Sequence, residues 1–249
     1  MTGLVVRSRA FSDDLKQAAI AVEDATWSNL GYLNYTQSHR KYYDLILDEF
    51  ADLQLCLVNV EDERCLALAN CVPIPCQQDL DQLPDEGWDW LVETGATRRG
   101  ERPNILGALA VTVPAPERGK GYAARMIQAV HEQCDRLKLD AVIVPVRPTV
   151  KCEYPYVAMD DYIGWRDTEG RIFDPWLRTH ISQGARVVKP CDRSMVVEEH
   201  IAFWETWAGR QFEGSGQYLV DGALAPVSID LERQVGRYEE PNVWVAYAS

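Results

Sequence analysis

The sequence predicts a mixed α/β chain, of the α/β or α+β class, built round a central sheet. Two observations carry this. Strand-period and helix-period segments alternate along the chain. Residues 105–146 also read as strand, glycine-rich turn, helix and strand, which is a βαβ unit. The length of 249 residues fits one large domain or two small ones. The reading adopted is one domain in three parts: N-terminal helices and a hairpin (1–104), the βαβ core (105–146), and a long loop followed by C-terminal strands (147–249).

Taken in order, residues 4–8 predict a short strand. Residues 13–30 predict a helix, with Leu15, Ala18, Ala19, Val22 and Ala25 spaced by three and four, and Ser12 or Asp13 as cap. A second helix fits 38–53, where Tyr42, Leu45, Ile46, Phe50 and Leu53 share a face. Segments 53–60 and 65–74 then read as a hairpin turned by residues 61–64. Residues 77–104 are polar and broken by glycine and proline, with a short helix near Trp88. Residues 105–114 form an apolar strand dense enough for a sheet centre. From Tyr122 to Leu139, Ala123, Ile127, Val130, Cys134 and Leu137 make one apolar helix face. Residues 141–146 are again a buried strand, and 147–175 an ordered loop rich in aromatics. A helix at 175–183 ends at Gly184. Strands at 185–190 and 194–200, a helix at 201–209 and short strands near 218–220 and 243–247 complete the chain.

Lysine and arginine number 25 against 38 aspartates and glutamates, a net charge of −13. Nucleic acid and anionic membrane surfaces both demand a positive footprint, so neither is expected as a partner. No apolar run approaches bilayer length. The N-terminus lacks a basic start with a long apolar core, so no signal peptide is expected and the expected location is cytoplasmic. The seven cysteines include no CxxC pair. Reduced, mostly buried thiols are expected, with zinc the lesser alternative.

The strongest chemical feature lies between the 105–114 strand and the helix after it: Arg118-Gly119-Lys120-Gly121-Tyr122-Ala123-Ala124. Glycines let backbone approach an anion with φ > 0. The first helical turn then presents unpaired N–H groups, and the helix dipole adds to the attraction. Arg118 and Lys120 supply positive charge within an acidic chain. The phosphate motif GxxxxGK[ST] is absent, and the dinucleotide motif fits only in the relaxed form GxGxxA.

Arg118-x-x-Gly121-x-Ala123 matches the R/Q-x-x-G-x-G/A signature, and in this the chain resembles the GNAT acyltransferase superfamily. The resemblance implies a GNAT fold with a mixed central sheet, in which Val111 and Val113 lie beside the pantetheine arm of an acyl-CoA. Arg118, Gly119, Lys120, Gly121, Tyr122, Ala123 and Ala124 would then hold its pyrophosphate. Further stretches, from Val146-Arg147-Pro148-Thr149 through Phe173-Asp174-Pro175-Trp176 and His180 to Arg193-Ser194-Met195 and Tyr238-Glu239-Glu240-Pro241, look similar to the GNAT-like decarboxylase and acetyl-loading domains of bacterial polyketide synthase loading modules. That likeness implies a coenzyme A thioester (acetyl-CoA or malonyl-CoA) and no metal. It also implies an acyl carrier protein, met through its phosphopantetheine arm, and possible neighbouring synthase domains.

On this reading malonyl decarboxylation, acetyl loading, or both is the expected chemistry. His180 would stabilise an enolate or deliver a proton, and Thr149 would bind a carboxylate or thioester oxygen. Arg193 would anchor the malonyl carboxylate, with Arg147 and Arg178 competing for that role. Trp27 would close the acyl tunnel. His39 and His200 fall at helix starts, His131 on a helix surface, and Cys152 lacks an adjacent histidine. Arg98, Arg99 and Arg102 are a candidate patch for the carrier protein. Two alternatives stay open: a GNAT N-acetyltransferase acting on a small amine, and a CoA-binding module with a degenerate site.

Overall fold

The computed structural model describes residues 3–248. β1 (Leu4–Ser8), β2 (Leu55–Asn59), β3 (Cys65–Ile74) and β4 (Ile105–Thr112) form an antiparallel run. β5 (Ala141–Val146) joins β4 in parallel, and β9 (Val235–Ala248) follows antiparallel to β5. β8 (Val227–Asp230) and β7 (Gly216–Tyr218) extend this edge, while β6 (Arg186–His200) pairs with β9 along its other side. The result is the mixed sheet expected from the sequence.

The helices form where capping and periodicity agree. α1 (Asp13–Trp27) starts at Ser12, whose hydroxyl accepts the Leu15 N–H at 3.2 Å. α2 (Gln37–Glu49) starts at Thr36, which accepts the His39 N–H at 3.0 Å. α3 (Gly87–Thr97) is longer than the short helix expected there. α4 (Tyr122–Leu137) buries Met126, Ile127, Val130 and Cys134. α5 (Met159–Ile163) lies inside the aromatic loop. Asp174 caps α6 (Pro175–Ser182), with Pro175 in the first turn, where no N–H is needed. α7 (Ile201–Ala208) follows β6 directly.

Alternate residues of β3 show how the layers divide. Leu68, Val72 and Ile74 face α1, α2 and α3, whereas Ala67, Ala69 and Cys71 face α4. The two strands expected at 185–190 and 194–200 are one strand, β6. Its register against β9 shifts between Cys191 and Met195, and this bulge absorbs the polar run that reads as a break in the sequence. All seven cysteines are free thiols, six of them buried. Among the described residues no helix is long and apolar enough to cross a membrane.

Trp204 of α7 is fully buried, and its Nε1 donates to the Gly236 carbonyl of β9 at 2.8 Å. Trp204→Ala should therefore cost about 3–5 kcal/mol in urea denaturation. A loss below about 1 kcal/mol would contradict this packing.

Candidate active site

β4 and β5 pair over three residues only, Ile105–Gly107 against Ala141–Ile143. Beyond Gly107 the strands part. Pro145 lies past the last pair and brings no N–H that would extend the ladder. On its β5 side, the β4 backbone from Ala108 onward therefore keeps polar groups with no strand partner. A cleft of about 1300 Å³ opens at this gap. It reaches from the start of α4, past β4 and β5, into a groove between α1 and α2.

At the α4 end, Gly119 (φ 76°) and Gly121 (φ 81°) turn the chain through the left-handed region. A Cβ on either would meet nothing within 4 Å, so the requirement is conformational, not steric. Gly121 caps α4 without any side-chain bond, which leaves its first-turn N–H groups available to an anion. Val111, Val113, Arg118, Gly119, Gly121, Tyr122, Ala123 and Ala124 all line the cleft. Lys120 does not line it; its ammonium pairs with Glu117 at 2.9 Å.

The four expected catalytic residues divide. Trp27 and Thr149 line the cleft. The Trp27 indole N–H donates to Thr112 Oγ1 at 2.9 Å, pinning the end of α1 to the end of β4. His180 does not line the cleft, because α6 turns Pro175, Trp176 and Thr179 to the cleft and Leu177 and His180 to the interior. The His180 ring is 1% exposed, with Nδ1 2.6 Å from the Tyr247 hydroxyl and Nε2 without a partner. Burial, helped by nearby His131, pushes its pKa down to about 3, so it is uncharged at neutral pH. Arg193 also lies off the cleft. It sits in the β6 bulge, exposed, and pairs with Glu86 at 2.8 Å. The same bulge anchors α3, since Ser194 Oγ accepts the Trp88 N–H at 2.9 Å. Arg98, Arg99 and Arg102 are not on the cleft wall either, and Arg98 is paired with Glu101.

The cleft also holds groups that the sequence reading did not select. His39 lines it half-buried, stacked on Trp88 at 5.7 Å between ring centroids and 4.6 Å from Tyr43. No hydrogen bond among the described residues uses its ring nitrogens, and burial lowers its pKa, so the free base is favoured. The only hint in the sequence is its place in the first turn of a helix; its neighbour Trp88 arrives from α3. On the groove floor, Arg9 pairs with Glu23 at 2.6 Å, and Glu23 also accepts Tyr43 and Asn70. Lys16 and Asp48 bridge α1 and α2 at 2.6 Å. Asp24 and Asp44 line the groove with no ion-pair partner among the described residues. This end therefore carries surplus negative charge and suits a cation. No group of three or more metal-ligating side chains occurs among the described residues.

No protein-family model matches the chain. It is 34% identical over 244 residues to the arginine N-acetyltransferase avaD of Aspergillus versicolor, covering 87% of this chain and 83% of that protein. Its fold is similar to that of the loading GNATL domain of CurA from Lyngbya majuscula, with TM-score 0.59 and 16% identity over 98% of this chain and 97% of that one. It is equally similar to the GphF GNAT-like decarboxylase in complex with isobutyryl-CoA, with TM-score 0.59 and 14% identity over 98% of both chains.

The left-handed Gly121 gives a direct check on the anion cradle. A β-branched residue there meets a backbone penalty of at least about 1–2 kcal/mol. Gly121→Val should weaken binding of coenzyme A, the ligand expected from the sequence, about tenfold or more by calorimetry. Unchanged affinity would contradict the cradle.

Proposed function

Since the chain belongs to the GNAT acyltransferase superfamily, we propose that it transfers an acetyl group from acetyl-CoA to a nitrogen of a cationic amine or guanidine. The observation that carries this reading is the likeness, along 87% of the chain, to an enzyme named for arginine N-acetylation. Of the alternatives left open by the sequence, the amine acceptor is the better supported. The decarboxylation reading rests on His180, Thr149 and Arg193, and of these only Thr149 reaches the cleft.

Each part of the cleft has a matching task. The β4 edge beyond Leu109, whose own carbonyl accepts the Trp88 indole N–H at 3.0 Å, complements the amide groups of a pantetheine arm, and the start of α4 complements a pyrophosphate. Asp24 and Asp44 draw a cationic acceptor into the α1–α2 groove. His39 accepts the proton from the acceptor nitrogen as that nitrogen attacks the thioester carbonyl. The C–N bond forms, the C–S bond breaks, and the sulfur leaves and is protonated to the free thiol. A neutral imidazole in an aromatic cage suits a general base because its free-base form prevails at neutral pH.

The test is to mix the protein with acetyl-CoA and L-arginine, follow thiol release, and identify products by mass spectrometry. Acetylated acceptor is the expected product. Intact acetyl-CoA across a panel of cationic amines, with malonyl-CoA converted to acetyl-CoA instead, would overturn the reading. His39→Gln should lower kcat at pH 7 about 100-fold. In the native enzyme the rate should hold across neutral pH and fall as pH drops through the His39 pKa, below 6.5. An acidic limb unchanged in the variant would remove His39 from the role of base.

A further inference from the structure

We infer that Arg147 and Asn242 bind the carboxylate of the acceptor, so that the preferred acceptor is a cationic amino acid and not the corresponding decarboxylated amine. This rests on the amine reading above and adds which part of the acceptor is held beside β5 and β9.

Arg147 follows β5 directly, where β4 has already departed, and its half-buried side chain lines the cleft. Its Nε donates to Glu240 Oε1 and its Nη2 to the Gly222 carbonyl. Nη1 forms no hydrogen bond of ordinary geometry among the described residues, and the Tyr32 hydroxyl is the other polar group beside the guanidinium. Nη1 is also not one of the sealed, unpartnered atoms, which are Arg9 Nε, Tyr32 Oη, His131 Nε2 and His180 Nε2. The guanidinium is thus clamped on two sides and keeps one accessible nitrogen. Glu240 is 0% exposed and its other oxygen accepts the Tyr238 hydroxyl, so both of its oxygens are engaged and it holds Arg147 in place.

Asn242 is one alternation further along β9 and 2% exposed, and it also lines the cleft. Its Nδ2 gives one N–H to the Pro241 carbonyl at 3.0 Å, which leaves a second N–H to donate. Leu109, Val144, Val146 and Met195 add apolar wall to the same cleft. A charge-assisted bond made there is strong, because little water competes for it. Two parts of the cleft lining are therefore complementary to two groups of one molecule. Asp24 and Asp44 suit a cationic chain, and Arg147 with Asn242 suits a carboxylate.

L-arginine and agmatine differ by that carboxylate alone, so the native enzyme provides the test without any variant. With acetyl-CoA, arginine should exceed agmatine in kcat/KM by about tenfold or more, the usual effect of one hydrogen bond to a charged group. Arg147→Lys should shrink that preference severalfold, with a thermal scan reporting whether the variant is folded. Equal use of the two, or a preference for agmatine, overturns the inference while leaving the amine reading standing. Turnover of neither overturns the amine reading instead. Calorimetric binding of the two compounds to the CoA-bound protein then decides the inference. Tighter arginine supports it, and equal or absent binding overturns it.

Discussion

The structure depends on two parallel strands that separate. β4 and β5 share three residue pairs and then diverge. A sheet normally satisfies its backbone groups through its neighbours, and an interior gap leaves a row of donors and acceptors facing a void. That arrangement is tolerable only where something else meets them. The surrounding elements hold the gap open. Pro145 ends the pairing on β5, Trp27 ties α1 to the last residue of β4, and β9 supports β5 on its far side along six residue pairs. The glycine turn after β4 then aims the start of α4 at the mouth of the same gap.

The charged residues at the cleft follow from this opening. Arg147 with Glu240, and Arg9 with Glu23, are ion pairs sunk into the walls, each with further hydrogen bonds. Buried pairs of this kind add little net stability, but they hold side chains in fixed positions. Here the fixed positions all line the cleft. α1 and α2 make little contact with each other, and the groove between them is part of the same cleft.

The βαβ core was legible in the sequence because its signals are local. An apolar run, a Gly-x-Gly turn and a helix with one apolar face each occupy a few consecutive residues. β6 was read as two strands because Pro190 and the polar residues after it imitate a break. Only pairing with β9 reveals a bulge. The roles proposed for His39 and Arg147 depend on partners from distant segments, Trp88 from α3 and Glu240 from β9, which no local pattern marks, although the sequence does name Arg147 among the carboxylate anchors. Glu240 and Asn242 did leave a trace: polar residues alternate within an apolar strand, the pattern of side chains turned inward for a reason other than packing. His180 misled in the opposite way. Its motif is conspicuous, but one helical step separates it from Thr179, and that step turns the ring away from the cleft.

Amide hydrogen exchange with and without acetyl-CoA shows whether the gap between β4 and β5 is the slot for the acyl donor. Exchange should slow at Ala110–Val113, at and just past the end of β4, and at Gly119–Ala124, in the glycine turn and the first turn of α4, with the β1–β2 edge unaffected. Protection confined to other segments, or none at saturating acetyl-CoA, would contradict it.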